Sequence, residues 1–98
     1  MKTELIYLVH LWPNDNLIRI KVGRTTDILK RLKHHRTTNP QCSVIATWKG
    51  GKNDEDNIKK IFAKQLERTI TGQPSEVIVG LDTNSVKKRC NEYFLKRA

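Results

Sequence analysis

The sequence predicts an α/β (α+β) fold in which a small central three-stranded antiparallel sheet is flanked by helices. Three observations carry this. Two stretches near the amino terminus alternate in side-chain character with the two-residue period of a strand, and Pro13-Asn14-Asp15-Asn16 reads as the turn between them. Later stretches place apolar residues at helical spacing. The 98 residues leave room for one domain around one core and not for a second.

In the first strand, Leu5 to Leu11, Leu5, Tyr7, Val9 and Leu11 share one face, and Ile6, Leu8 and His10 share the other. In the second, Ile18, Ile20 and Val22 alternate with Leu17, Arg19 and Lys21, and Gly23 ends the strand. Together they read as a hairpin. If Leu11 faces Leu17 across the turn, Tyr7 falls directly opposite Lys21, with Cβ atoms about 5 Å apart. A slip of one residue sets the two on opposite faces, and the sequence leaves the register open.

Thr26 or Asp27 then caps a helix running to about Arg36, with Ile28, Leu29 and Leu32 on its apolar side. Arg31 and His35, four apart, stack on one face. Thr37-Thr38-Asn39-Pro40 is a loop. Cys42 to Trp48 is the third strand, with Cys42, Val44, Ala46 and Trp48 alternating against Ser43, Ile45 and Thr47. Gly50 to Asp54 is a connection that ends in an N-cap. The next helix carries Ile58, Ile61, Phe62, Leu66 and Ile70, and Glu55 lies on the same stripe as Ile58, Phe62 and Leu66. A carboxylate facing inward in a first turn is unusual. After Gly72-Gln73-Pro74, Glu76 to Val79 is a short edge strand, and Asn84 or Asp82 caps a last helix, about 84–97, that turns Val86, Cys90, Tyr93 and Phe94 inward.

The hydrophobic fraction of 37% is low but periodic, which argues against disorder. No apolar run approaches the roughly 18 residues that span a bilayer, and Met1-Lys2-Thr3-Glu4 starts no signal peptide, so a cytoplasmic protein without a membrane partner is expected. Cys42 and Cys90 belong to no CxxC or Cys-His cluster and read as packing thiols. The net charge of +9 points to a polyanion, because each neutralised phosphate releases counterions. Ordinary basic solubility or an anionic membrane surface would also accommodate that charge.

Leu5-Ile6-Tyr7 followed by Lys21-Val22-Gly23 resembles the motif pair that names the GIY-YIG nuclease superfamily. The likeness continues through Gly23-Arg24-Thr25-Thr26-Asp27-Ile28-Leu29-Lys30-Arg31-Leu32-Lys33-His34-His35. There the family places an arginine eight residues after the glycine and often a histidine four later, as Arg31 and His35 stand here. Glu55 opens its helix as the family's metal-binding glutamate does. The resemblance covers about residues 4–80 and is nearest the small stand-alone viral and phage-type branch, where lysine commonly replaces the second tyrosine. The chain departs from the pattern at Leu5, where a strand holds leucine as well as glycine, and at Lys21, which exchanges a phenol for a cation.

The resemblance implies a metal-dependent endonuclease acting on DNA, with RNA left open, as a monomer or homodimer. Tyr7 would deprotonate or position the attacking water. A phenol of pKa about 10 needs a nearby cation or metal for that, and Lys21 is the expected cation, or itself the base if desolvation lowers its pKa. Arg31 would stabilise charge on the phosphoryl oxygens. His35 would orient Tyr7 or relay a proton. Glu55 would hold one Mg²⁺ or Mn²⁺. Taken singly, each residue has a plainer reading. Tyr7 reads as a strand tyrosine, Arg31 and His35 as solvated helix residues, and Glu55 as a complement to the helix dipole.

Outside this set, Arg24, Lys30, Lys33, Arg36 and Lys59 are candidates for phosphate contacts, with Lys60 and Lys64 beside them. Lys87, Lys88, Arg89, Lys96 and Arg97 extend the basic surface, and Trp12 and Trp48 either stack on bases or pack. Two other functions fit the same residues: a nucleic-acid-binding module that cuts weakly or not at all, and a module that docks on an acidic protein.

Overall fold

Five strands, not three, build the sheet of the computed structural model, which describes residues 3–11, 17–38, 40–72 and 74–97. Strands β1 (Leu5–His10), β2 (Arg19–Thr25), β3 (Ser43–Lys49), β4 (Leu66–Arg68) and β5 (Pro74–Val79) lie in the order β3-β1-β2-β5-β4, and every neighbouring pair is antiparallel. Three helices, α1 (Ile28–Thr38), α2 (Lys52–Ile61) and α3 (Thr83–Arg97), pack on it. Trp12 and the turn at 13–16 lie outside the described residues.

The two added strands come from a misread period. The stripe that continues through Leu66 and Ile70 predicts a long helix, but α2 stops at Ile61 and a 3₁₀ turn at Ala63–Gln65 redirects the chain. Leu66 is buried as expected, though from a strand paired with β5, while Ile70 is fully exposed. Ladder pairing with β5 outweighs the local helical pattern here. For the same reason β5 is an interior strand between β2 and β4, not an edge.

Tyr7, in the hairpin, pairs with Gly23, and Lys21 pairs with Val9. The register therefore differs by two residues from the Leu11–Leu17 pairing, and Leu11 N–H instead donates to Arg19 C=O at 3.0 Å. A shift of two preserves the face, so Tyr7 and Lys21 still share one side as diagonal neighbours. Gly23 does not end β2, which runs on to Thr25.

Each face of the sheet has its own core. Ile6, Leu8, Ile20, Val22 and Ile78 pack against Ile58 and Phe62 of α2 and Val86, Cys90 and Phe94 of α3. On the other face Tyr7, Val9, Leu11 and Cys42 pack against Ile28 and Leu32 of α1, whereas Leu29 points to solvent. The simple alternation read for β3 fails because of a bulge. Leu8 pairs with Ala46 but Val9 pairs with Val44, which leaves Ile45 as the extra residue. Cys42 and Val44 thus join the Tyr7 core, and Ile45 and Trp48 join the opposite one.

The helix starts use local oxygen acceptors. Asp27 Oδ1 accepts from Lys30 N–H at 3.1 Å, and Asp82 Oδ1 accepts from Ser85 N–H at 2.6 Å. Helix α2 starts earlier than read, at Lys52 after Gly51, so Asp54 is not its N-cap but reaches back to accept Gly51 N–H at 3.0 Å. Asp54 also takes a hydrogen bond from Tyr93 at 2.8 Å and an ion pair from Arg97 at 3.2 Å, which tie α3 to α2. Trp48 stacks on Phe94 with ring centroids 5.2 Å apart, a packing role. Both cysteines are free and buried, and burial pushes the Cys90 thiol up to about 12. Among the described residues no helix is long and apolar enough to cross a membrane.

Candidate active site

Tyr7 stands on β1, between β2 and β3, and only 2% of its surface is exposed. Its ring lies flat across Gly23 of the neighbouring strand, where a Cβ would overlap the phenol oxygen and two ring carbons. Gly23 is not among the glycines with positive φ, so the site needs glycine for space and not for backbone freedom. The hydroxyl lies 3.2 Å from Nε2 of His35 and donates to it when that nitrogen is unprotonated. The two rings meet edge to face at 5.8 Å, which fixes the imidazole over the phenol tip.

Beside this pair runs a chain of alternating charges. The β2–β5 ladder joins Arg19, Ile20 and Lys21 to Val79, Ile78 and Val77, and the rest of β2 extends past it. At that margin Lys21 Nζ donates to Glu76 Oε2 at 3.0 Å, and Lys59 Nζ of α2 donates to Glu76 Oε1 at 2.9 Å. Lys59 also donates to Glu55 Oε1 at 3.3 Å, one helical turn away. Glu55, read as an inward carboxylate, has a side chain 13% exposed.

Burial raises the Tyr7 phenol above its ordinary value. The Arg31 guanidinium opposes this, and the carboxylates of Glu76 and Glu55 add to it. Lys21, paired to Glu76, is not among the groups that shift Tyr7, so the expected lowering by Lys21 is not found. His35 moves the other way. Burial lowers it first, and Lys21, Arg31 and His34 lower it further, so the ring is neutral at pH 7. Burial pushes Glu76 up, but its bonds to Lys59 and Lys21 outweigh that and hold it below the usual carboxylate value. Lys59 is pulled down by burial and raised more strongly by Glu76 and Glu55.

Arg31 is exposed on α1, and its guanidinium makes no hydrogen bond or ion pair among the described residues. With Thr25, Thr26, Asp27, Lys30 and His34 it lines a cavity of about 350 Å³. A forked donor at such an opening suits a phosphate.

The structure thus brings Tyr7, Lys21, Arg31, His35 and Glu55 into one electrostatically coupled group drawn from β1, β2, α1 and α2. It adds Glu76, which the sequence reading missed. A lone acid beside Val77-Ile78-Val79 was the only signal, and strand-end acids are commonplace. Of the phosphate-contact candidates, Lys30 and Lys33 are exposed on α1. Lys59 is instead committed to two carboxylates. Arg24 is paired with Glu4 at 3.1 Å, and Arg36 Nε donates to Cys42 C=O at 3.2 Å. At the far end, Arg97 pairs with Asp54 and Arg89 covers the Phe62 ring at 4.8 Å, so both serve packing.

Mg²⁺ and Mn²⁺ prefer oxygen and keep several waters, so one or two carboxylates and a phosphate suffice to hold them. Glu55 offers one such carboxylate, paired to Lys59 and near enough to Tyr7 to act on it electrostatically. Among the described residues no group of three or more His, Cys, Asp or Glu side chains gathers. A single protein carboxylate would leave the rest of a hard cation's coordination to water and substrate oxygens.

The T5orf172 domain family matches residues 4–93, a span that takes in all five strands and most of α3. The chain belongs to that family, whose domain is found in phage and bacterial nuclease-like proteins. No curated protein and no solved structure matches the chain.

Proposed function

We propose that this member of the T5orf172 domain family is a metal-dependent endonuclease of GIY-YIG type that hydrolyses phosphodiester bonds in DNA. One observation supports the reading most. The Tyr7 hydroxyl lies 3.2 Å from His35 Nε2, burial favours the neutral form of both groups, and Arg31, unpaired among the described residues, and Glu55 act on the same phenol.

The roles follow from the chemistry of each group. The Tyr7 oxygen takes a proton from the attacking water as its own proton passes to Nε2 of His35, so the phenol never has to persist as phenolate. His35 suits this step because its neutral ring has an acceptor to offer. Arg31 binds two phosphoryl oxygens and stabilises the charge that builds on them. Glu55 would hold Mg²⁺ or Mn²⁺, which supplies Lewis-acid polarisation of the phosphate. Lys21 acts through Glu76 and through the field it exerts on His35. Exposed Lys30 and Lys33, with Arg24 and Arg36 once their present partners are exchanged, track the nucleic-acid backbone.

The test is incubation of purified protein with supercoiled plasmid and Mg²⁺, Mn²⁺ or chelator. Nicking that needs metal supports the reading, and its absence together with salt-sensitive binding supports a second one. That second reading is a DNA-binding module that cuts weakly or not at all. It is favoured by the raised Tyr7 phenol and by the commitment of Lys21 to Glu76.

A further inference from the structure

Lys59 stands between two carboxylates, 2.9 Å from Glu76 and 3.3 Å from Glu55, and it is the side-chain partner of Glu55 among the described residues. A carboxylate withdrawn from water requires compensation, and a neighbouring ammonium supplies it. The spacing is favourable, since Glu55 lies four residues before Lys59 on one helix. We propose that Lys59 is an internal counter-cation that competes with the divalent metal for Glu55. This rests on the reading of Glu55 as the metal ligand and adds a control to that site.

Three features support a displaceable ammonium over a fixed one. First, lysine is a point charge on a flexible stem, unlike the planar fork of arginine. Second, Lys59 lines a cavity of about 390 Å³ together with Glu76, Lys60, Ala63, Leu66 and Ser75, so its stem has space beside it. Third, Glu76 lies on that cavity and is half exposed, so the ammonium can leave Glu55 without losing its other pair. Withdrawal frees Glu55 for the metal at the cost of one ion pair. In the free protein Lys59 keeps Glu55 charge-balanced and oriented, and metal affinity stays low until a substrate phosphate adds its own oxygens. Lys59 is thus a positioning residue and not a phosphate contact.

The test measures Mn²⁺ binding to the full chain without nucleic acid, by calorimetry and by the electron paramagnetic resonance of free Mn²⁺. Wild type should bind weakly at a site that Glu55→Gln abolishes. Lys59→Met should bind about tenfold more tightly or better, as expected when a screened unit charge a few ångströms away is removed. Lys59→Arg, which keeps the charge on a less readily displaced fork, should bind no more tightly than wild type. Lys59→Gln provides a second neutral side chain in case methionine disturbs the fold, which a thermal melt reports. Unchanged or weaker binding in the neutral variants, with wild type still dependent on Glu55, overturns the competition and leaves Glu55 as ligand. If neither wild type nor the neutral variants bind Mn²⁺ through Glu55, the metal reading itself falls. Failure of both neutral variants to fold while Lys59→Arg folds would make Lys59 a structural ion-pair residue and overturn the proposal.

Discussion

Gly23→Ala places one methyl group where the Tyr7 ring now lies. The backbone there tolerates alanine, so the whole cost is steric. The overlap involves the phenol oxygen and two ring carbons of a side chain that is 2% exposed, and Val9, Leu11, Cys42, Ile28 and Leu32 share its core. The ring cannot simply swing into solvent. Overpacking of this kind costs about 1–3 kcal/mol, and losing the bond to His35 adds about 0.5–1.5 kcal/mol. Taking about 3 kcal/mol as the centre of the two together, a domain of this size should melt roughly 12–24 °C lower. Cleavage should fall roughly a hundredfold or more, because the displaced phenol no longer meets water and imidazole together. Thermal melts followed by far-ultraviolet circular dichroism and plasmid nicking measure the two effects. In a Tyr7→Val background the same glycine substitution should cost less than about 0.5 kcal/mol, since the atoms it strikes are gone. A Gly23→Ala protein that melts and cuts like wild type would refute the account, as would an equal cost in both backgrounds.

Glu55→Gln keeps the volume of the side chain and removes its charge, so cleavage should vanish while the fold and most DNA binding persist. Full activity in a carefully purified variant would exclude Glu55 as the ligand. DNA affinity should fall steeply between low and physiological salt, each phosphate contact adding close to one unit to the log–log slope, and Lys30→Ala with Lys33→Ala should flatten it by about two. A flat response in wild type would count against a nucleic-acid partner. His35 must be neutral to accept the phenol proton, and its pKa is lowered, so activity should hold below pH 6.5 and fail only as pH drops through that lowered value. Lys21→Met removes one lowering charge and should move this acidic limb upward in single-turnover rates, whereas an unmoved limb would show that Lys21 does not act on His35. Arg31→Gln should raise the titration midpoints of both His35 and Tyr7 in nuclear magnetic resonance, and two unmoved midpoints would refute the coupling.

How far the site was legible depended on parity more than on register. Alternation along the hairpin assigns residues to faces, and a face survives a register error of two but not of one. That is why Tyr7 and Lys21 share a side although Tyr7 faces Gly23 and not Lys21. In β3 one extra residue at Ile45 reverses the parity midway, and the sequence has no glycine or proline there to announce a bulge. The path of residues 62–70 was illegible for another reason. Phe62, Leu66 and Ile70 keep helical spacing across a real helix end, because Leu66 is needed in the same core from a strand. Glu76 was invisible because its importance comes from two lysines, 55 and 17 positions away along the chain, that only the sheet assembles.

The electrostatics also reassign which cation serves Tyr7. A lysine opposite the phenol would be the simplest activator, but Lys21 is held at 3.0 Å by Glu76, and the Glu76 charge works against ionising Tyr7. Arg31 carries a charge among the described residues that directly favours phenolate without a carboxylate bonded to it. Burial moves the phenol up and the imidazole down, so both neutral forms are favoured and the shared proton rests on oxygen. Such a pair is poorly disposed to ionise alone but well disposed to pass a proton once water binds the phenol oxygen. A phosphate on Arg31 would partly cancel the guanidinium charge that now lowers both groups. His35 would then become a stronger acceptor as the substrate arrives, while Tyr7 would become a weaker acid. Those two changes largely offset, so the substrate leaves transfer from Tyr7 to His35 uphill, and the relay works only if water gives its proton to the phenol oxygen in the same step.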